Sequence, residues 1–401
     1  MKLRYKATTP DGKIVRGVIE ANDPNEAAKF LRDKDLFPIQ IKNKDDDFVK
    51  KFLPFLNNVS SSDIILFTRQ LSSMLSSGLT LLKSLQIFKD QTQNEALIDL
   101  VSGIITDIED GKPFSYAIAK YPETFSPIYV SLIKAGESSG LLDKVLLRLA
   151  DNLEKAHKLQ GTVKSALMYP AIVVVLMISV VFIMMIFVIP QLSVLYKSLN
   201  VPLPLPTQIV VGLSGIIGTF WPLIFILIGL FIFFFRRWRK TEDGQLIMDN
   251  LVLKLPVFGP LIQETILAEF TRTFGLLIGT GTLVVESLVE TADTTGNINY
   301  KNAIIDVSKQ VEKGVTIGDA MGSYSLFPPM LIQLIKIGEQ TGKMDETLTK
   351  ASEYFEEQVN EKVKTLTTAL EPFIMIVLGV GVAFLIVSVI TPIYSLISSL
   401  Q

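Results

Sequence analysis

The chain has 401 residues, 49% of them hydrophobic and 19% charged, a balance too apolar for an ordinary soluble protein and too charged for a pure membrane bundle. The formal net charge of -2 gives no global field that would draw the chain to nucleic acid, so no nucleic-acid partner is expected. There is no cysteine and a single histidine, His157, which excludes disulfides, zinc–thiolate sites, a thiol nucleophile and a His-based triad or metal cluster built with normal partners.

The N-terminal MKLRYKATTPDGK lacks an apolar core, so no secretory signal peptide is expected. Residues 1–42 alternate around a Pro-Asp-Gly turn and then offer Asp23 as an N-cap, Pro24 at the first helical position and Glu26 at the third, with FPIQI as a closing strand. This predicts a small α/β lobe. Residues 43–62 read as a linker; FVKKFLPFL within it has a membrane-surface or docking segment as its second reading, after plain linker. Asp45, Asp46 and Asp47 read as solvated linker.

Residues 63–168 predict a first helical bundle. Phe67, Leu71, Met74 and Leu75 fall at helical spacing and mark a buried face. The bundle leads into an uncharged run, giving a transmembrane helix over 169–190. A short loop, 191–208, carries VPLPLP. A second span follows over 209–235, then a basic connector over 236–265. Residues 266–370 form a second bundle, 371–392 a third span and 393–401 a tail. Lys155, Lys158 and Lys164 precede the first span; Arg236, Arg237, Arg239 and Lys240 follow the second; Lys362 and Lys364 precede the third. The positive-inside rule puts the N-terminus and both bundles in the cytoplasm, and the loop and C-terminus outside. Apart from Glu371, at the interfacial edge of the third, no charged residue lies within a span, which counts against the alternative of a membrane transporter or channel component.

The two bundles are an internal repeat, offset by about 203 positions. Phe67, Arg69, Leu71 and Gly78 correspond to Phe270, Arg272, Phe274 and Gly281, and IKAGESSGLLD (133–143) to IKIGEQTGKMD (335–345). The stripe Leu142, Leu146, Leu149, Leu153 matches Met344, Leu348, Ala351, Phe355. Pro170 and Pro190 match Pro372 and Pro392. The expected fold is therefore mainly α: two homologous antiparallel helical bundles with three transmembrane helices and the N-terminal lobe.

Gly136-Glu137-Ser138-Ser139-Gly140 and Gly338-Glu339-Gln340-Thr341-Gly342 are the sharpest motifs. In one reading they are helix joints. Gly136 and Gly338 then end a helix with positive φ, Gly140 and Gly342 cap the next, and Asp143 and Asp345 sit in its first turn. In the other, Glu137 and Glu339 meet a partner. A phosphate-binding loop is excluded, because only three residues separate the glycines and Met344 follows Lys343. Pro170 and Pro372 mark where each bundle helix reaches lipid, as a fixed kink or as a hinge. The Arg236–Lys240 cluster with Trp238 reads as a topology anchor. Arg69 and Arg272 read as surface or intra-bundle ion pairs. No catalytic, metal or cofactor site is expected.

Together these features resemble the type II secretion F / type IV pilus inner-membrane platform family. The resemblance also covers Tyr5, Gly12, Gly17, Ala21, Ala27, Leu31 and Pro38 of the N-terminal lobe. It implies a non-enzymatic, multi-pass bacterial inner-membrane protein, expected to be homo-oligomeric. Its implied partners are a hexameric cytoplasmic secretion or pilus ATPase, pilins or pseudopilins, and other inner-membrane assembly proteins.

Overall fold

A computed structural model describes residues 2–8, 14–21, 23–43, 59–191, 194, 205–256 and 258–399. The chain divides into two units, residues 1–126 and 127–401, and the boundary falls inside the first sequence repeat.

The first unit opens with β1 (Lys2–Thr8), β2 (Ile14–Glu20), α1 (Pro24–Arg32) and β3 (Phe37–Asn43). β1 lies between the other two strands and antiparallel to both, with Tyr5 opposite Gly17 and Ile41. The Asp23 side chain accepts the Glu26 N–H at 2.7 Å, as its N-cap position predicts. The Pro-Asp-Gly turn and most of the 43–62 linker lie outside the described residues. Among the described residues four helices follow: α2 (Ser61–Ser76), α3 (Leu81–Gln91), α4 (Glu95–Glu109) and α5 (Phe114–Ala119). Their core gathers Phe67, Leu71, Phe88, Ile104, Phe114 and Phe125, all buried, with Phe67 edge-on to Phe88 at 5.1 Å. Met74 and Leu75, expected on the same face, are only half-buried. Asp107 is buried beneath Lys112 and Lys120, 2.8 and 2.6 Å away. Hydrogen bonds from these lysines hold its carboxyl below the usual value.

The second unit opens with α6 (Pro127–Ser139) and α7 (Leu142–Ile183). α7 passes through a π-helical turn, Met184–Val188, and continues to Gln191. Then come α8 (Leu205–Arg239), α9 (Glu242–Lys254), α10 (Phe258–Gly279), α11 (Val284–Thr294), α12 (Ile298–Glu312), α13 (Ile317–Gly322), α14 (Pro329–Thr341) and α15 (Met344–Ser399). The repeat is visible helix by helix. α3 and α11 both have 11 residues, α4 and α12 both 15, α5 and α13 both 6, and α6 and α14 both 13. Even the caps repeat: Asn94 and Asn297 each accept a backbone N–H at the start of α4 and α12.

α10 to α15 enclose a core of Phe270, Phe274, Tyr300, Phe327, Leu348 and Phe355, and Leu159 of α7 is buried in the same cluster. The first repeat's last two helices are thus fastened to the second repeat. Ser131 of α6 donates to Glu290 of α11 at 2.6 Å, and Arg148 of α7 donates to the Gly279 carbonyl at 2.7 Å. The latter places a cation on the C-terminal end of α10, where the helix dipole favours it. Arg272, buried at the heart of α10, pairs with Glu269 and, at 2.8 Å, with Glu356 of α15; the expected intra-bundle ion pair is there.

Among the described residues two helices are long and apolar enough to cross a membrane: the 50-residue stretch Leu142–Gln191 and the α15 helix. At 1.5 Å per residue the former is about 75 Å long, enough for a bundle stem and a bilayer crossing in one rod. From Met168 to Phe187, and again from Met375 to Ile386, many large apolar side chains are exposed, among them Val175, Leu176, Phe187, Met375, Ile376 and Val380. Water does not tolerate bands of that size, and hydrocarbon does. The chain is a membrane protein.

Candidate functional site

The two Gly-Glu-x-x-Gly segments form the same joint, built differently from the expectation. α6 runs through Gly136 to Ser139, and the left-handed residue is Gly140, at φ 71°. The Leu141 N–H reaches back to the Gly136 carbonyl at 2.9 Å and the Gly140 N–H to that of Glu137 at 3.3 Å, closing the helix end. α14 ends likewise, with Gly342 at φ 68° and the Lys343 N–H on the Gly338 carbonyl at 3.0 Å. The second glycine of each motif therefore ends the preceding helix rather than capping the next one. The first glycine has ordinary helical φ and a different task. A Cβ on Gly136 would stand 3.0 Å from the Val145 side chain. One on Gly338 would stand 2.3 Å from Thr347 Oγ1 and 2.7 Å from Met344 Sδ. Each first glycine lets the following helix fold back in close contact. Asp143 and Asp345 lie in the first turns of α7 and α15, where expected.

Glu339 points across the bundle. Its two carboxylate oxygens accept the backbone N–H groups of Ile317, at 2.6 Å, and Gly318, at 3.0 Å. The carboxylate thereby satisfies orphan donors at the start of α13, where negative charge is favoured. Thr316 caps the same end through the Asp319 N–H. Glu137 occupies the equivalent place on α6 and is half-buried. One side of the second joint opens onto a groove of about 590 Å³, lined by Ile278, Gly281, Val284, Ile317, Glu339 and Met344. Leu283, close by in sequence at the head of α11, is 74% exposed. A second cleft, of about 520 Å³, lies among α7, α10 and α15, where Arg148, Lys155 and Arg272 stand near Asp345 and Glu353.

Neither Pro170 nor Pro372 interrupts its helix. The departure from α geometry comes later, in the π turn, where the Ile189 N–H bonds the Met184 carbonyl five residues back. The next bond in that register would run from residue 190 to Met185, and residue 190 is proline, which has no N–H. The Met185 carbonyl instead accepts the hydroxyl of Ser214 on α8, a side chain 2% exposed. This contact was not legible in the sequence beyond a lone serine in an uncharged run.

Sequence reading located the joints. It missed the partners of Glu339, the Ser131–Glu290 bond and the Ser214 lock, because each joins residues with no local signature. His157 is exposed. Among the described residues no group of three or more His, Asp and Glu side chains is placed to hold a metal ion.

The family model for "Type II secretion system (T2SS), protein F" matches twice, at residues 67–190 and 270–392, and the model for that protein's N-terminal domain matches residues 4–42. Among curated proteins, the type IV pilus assembly protein PilC of Thermus thermophilus is 36% identical over 99% of this chain and 98% of its own. The type IV pilus assembly protein TapC of Aeromonas hydrophila is 34% identical over 98% and 95%. The type II secretion system protein F of Xanthomonas campestris pv. campestris is 27% identical over 99% of each. With both copies of the domain matched, and relatives similar from end to end, the chain belongs to the type II secretion system protein F family.

Proposed function

We propose that the protein is the inner-membrane platform of a type IV pilus or type II secretion machine. It is non-enzymatic and couples a hexameric cytoplasmic ATPase to the assembly of pilins or pseudopilins. The observation that carries this reading is the continuity of α7 and α15. Each is a single rod from a bundle into the apolar band, so a push on the bundle reaches membrane depth with no flexible joint between. The relatives named for pilus assembly and for secretion point to the same class of machine.

In this reading α8 is a third span. It is 35 residues long, uncharged until Arg236, and returns the chain to the cytoplasm. The N-terminus and both bundles are cytoplasmic, the loop before α8 and the C-terminus are external, and β1–β3 with α1 form a small α/β lobe. The Gly136–Gly140 and Gly338–Gly342 joints and the groove at the second are contact surfaces for the ATPase or a second copy of the chain. Pro170 and Pro372 sit where each rod meets the lipid headgroups and set its direction there.

In-cell crosslinking tests the proposal, with photoreactive residues at Glu137 and at Gln340, the latter chosen to spare the Glu339 bonds. Capture of a secretion-type ATPase or of a second copy is expected. Capture of neither, with folded and abundant protein, would remove the contact role from the joints.

A further inference from the structure

α9 carries an exposed apolar stripe that none of the roles above uses. Ile247 and Leu251, at i and i+4 on the helix, and Leu255, its C-cap residue with extended backbone, are 56%, 54% and 41% exposed. The other face of the helix is committed to the protein. Asp249 is buried and accepts the Ile298 N–H at 2.8 Å, capping α12, and α9 packs on α10 and α12. The stripe is therefore not a core face waiting for its bundle.

Its position in the chain says what covers it. α8 ends at Arg239 and α9 begins at Glu242. The turn between them is tight: the Thr241 hydroxyl donates to the Trp238 carbonyl at 2.6 Å and accepts the Gly244 N–H at 3.2 Å. Gly244 is so close to that carbonyl that a Cβ would meet it at 2.2 Å. The start of α9 is thus held against the end of α8. The exposed apolar side chains at the end of α8, with Phe231 69% exposed and Phe233, Phe234 and Trp238 also exposed, are separated in the chain from the α9 stripe only by the basic cluster and this turn. Five basic residues flank the stripe, Arg236, Arg237, Arg239, Lys240 and Lys254, against the exposed acids Glu242 and Asp243, which lie in the first turn of α9, where the helix dipole favours them. An apolar helix face bordered by cations and continuous with a span matches the chemistry of an anionic bilayer surface.

We infer that α9 is an interfacial helix whose Ile247 and Leu251, with Leu255 at its C-cap, rest in the cytoplasmic leaflet, with the basic cluster on anionic headgroups. The helix fixes the height of the second bundle beneath the bilayer, because Asp249 ties it directly to α12. The inference rests on the reading of α8 as a span with its basic end inside.

The absence of native cysteine makes the test clean. Ile247→Cys, Leu251→Cys and Leu255→Cys are each introduced into the full chain and labelled with an environment-sensitive fluorophore. The proteins are reconstituted in phosphatidylcholine vesicles with or without phosphatidylglycerol. Phe231→Cys serves as the span control and Lys309→Cys, exposed on α12, as the aqueous one. Shallow doxyl-labelled lipid should quench the stripe positions, with a blue-shifted emission, and more strongly when phosphatidylglycerol is present. Lys309→Cys should be unaffected. Stripe labels quenched no more than Lys309→Cys, while Phe231→Cys is quenched, would overturn the inference and leave the span reading standing. So would stripe labels shielded from both doxyl lipid and aqueous iodide, which would mean that a protein covers the face. Loss of quenching at Phe231→Cys would overturn the span reading and this inference with it.

Discussion

Gly338 has no room for a methyl group, and Gly342 has the room but the wrong backbone for one. Gly338→Ala drives a Cβ into Thr347, Met344 Sδ and the Met344 backbone, whose Cα lies 3.1 Å away. Such overpacking costs about 1–3 kcal/mol, less the roughly 1 kcal/mol that alanine gains in a helix. Gly342→Ala meets nothing within 4 Å and is opposed only by its left-handed φ, at about 1 kcal/mol; Gly342→Asn should be milder still. Thermal unfolding of the detergent-solubilised chain should show both losses, with Gly342→Asn the smallest of the three. Glu339→Ala strips two N–H groups of their acceptor and should cost about 1.5–3 kcal/mol by the same measurement. Glu290 supplies a pH signature. Burial pushes its carboxyl above the usual 4.5; the Ser131 hydroxyl opposes the shift and Glu286 adds to it. The protonated form is thus favoured in the fold, so the penalty of the charged form is absent below 4.5 and grows as pH rises through the raised value. Glu290→Gln should unfold at a higher temperature than the parent in mildly alkaline buffer, with the gap closing in acid. A variant less stable at every pH would contradict this. At this scale the sequence marked the glycines and the glutamate but not their tasks. Whether a glycine serves φ or proximity depends on what the next helix brings to it.

Among elements, the α7–α8 contact shows how a local defect is repaired by a neighbour. Pro190 deprives Met185 of its π-register donor, and a bare carbonyl in hydrocarbon must find another. Ser214 supplies it from α8. Ser214→Ala should loosen the pair of helices by about 1 kcal/mol, and Ser214→Thr should preserve it. An isotope-labelled Met185 carbonyl should shift to higher infrared frequency in the alanine variant and remain in place in the threonine one. Caps and boundaries were largely legible here: Asp23 before α1, and Asp143 and Asp345 in the first turns of α7 and α15. These signals act within one turn, so the residues that make them are neighbours in sequence. Residues 236–265, read as a basic connector, carry the end of α8, α9 and the start of α10, and 393–399, read as a tail, continue α15. Charge composition gave those segments a topology but no periodicity strong enough to reveal their helices.

For the whole molecule, the proposed topology can be read with an impermeant thiol reagent, again helped by the cysteine-free background. A cysteine replacing Leu203, in the proposed external loop, should be labelled in cells whose outer membrane has been permeabilised. One replacing Lys309 on α12 should be labelled only after the inner membrane is opened as well. The reverse pattern would invert the orientation.

The sequence by itself determined the repetition: two copies of one helical unit, each delivered into an apolar run. These are periodic or compositional properties, carried by residues near one another in the chain. Only the tertiary structure decided that α6 and α7 of the first repeat are fastened to the second, through Ser131, Arg148 and Leu159. It alone decided that Glu339 serves the start of α13, and that the π turn is closed by a serine from another helix. The hydrogen bonds among them join residues 21 to 159 positions apart. Nothing in the local pattern of either partner specifies the other, because the pairing is set by how whole helices pack.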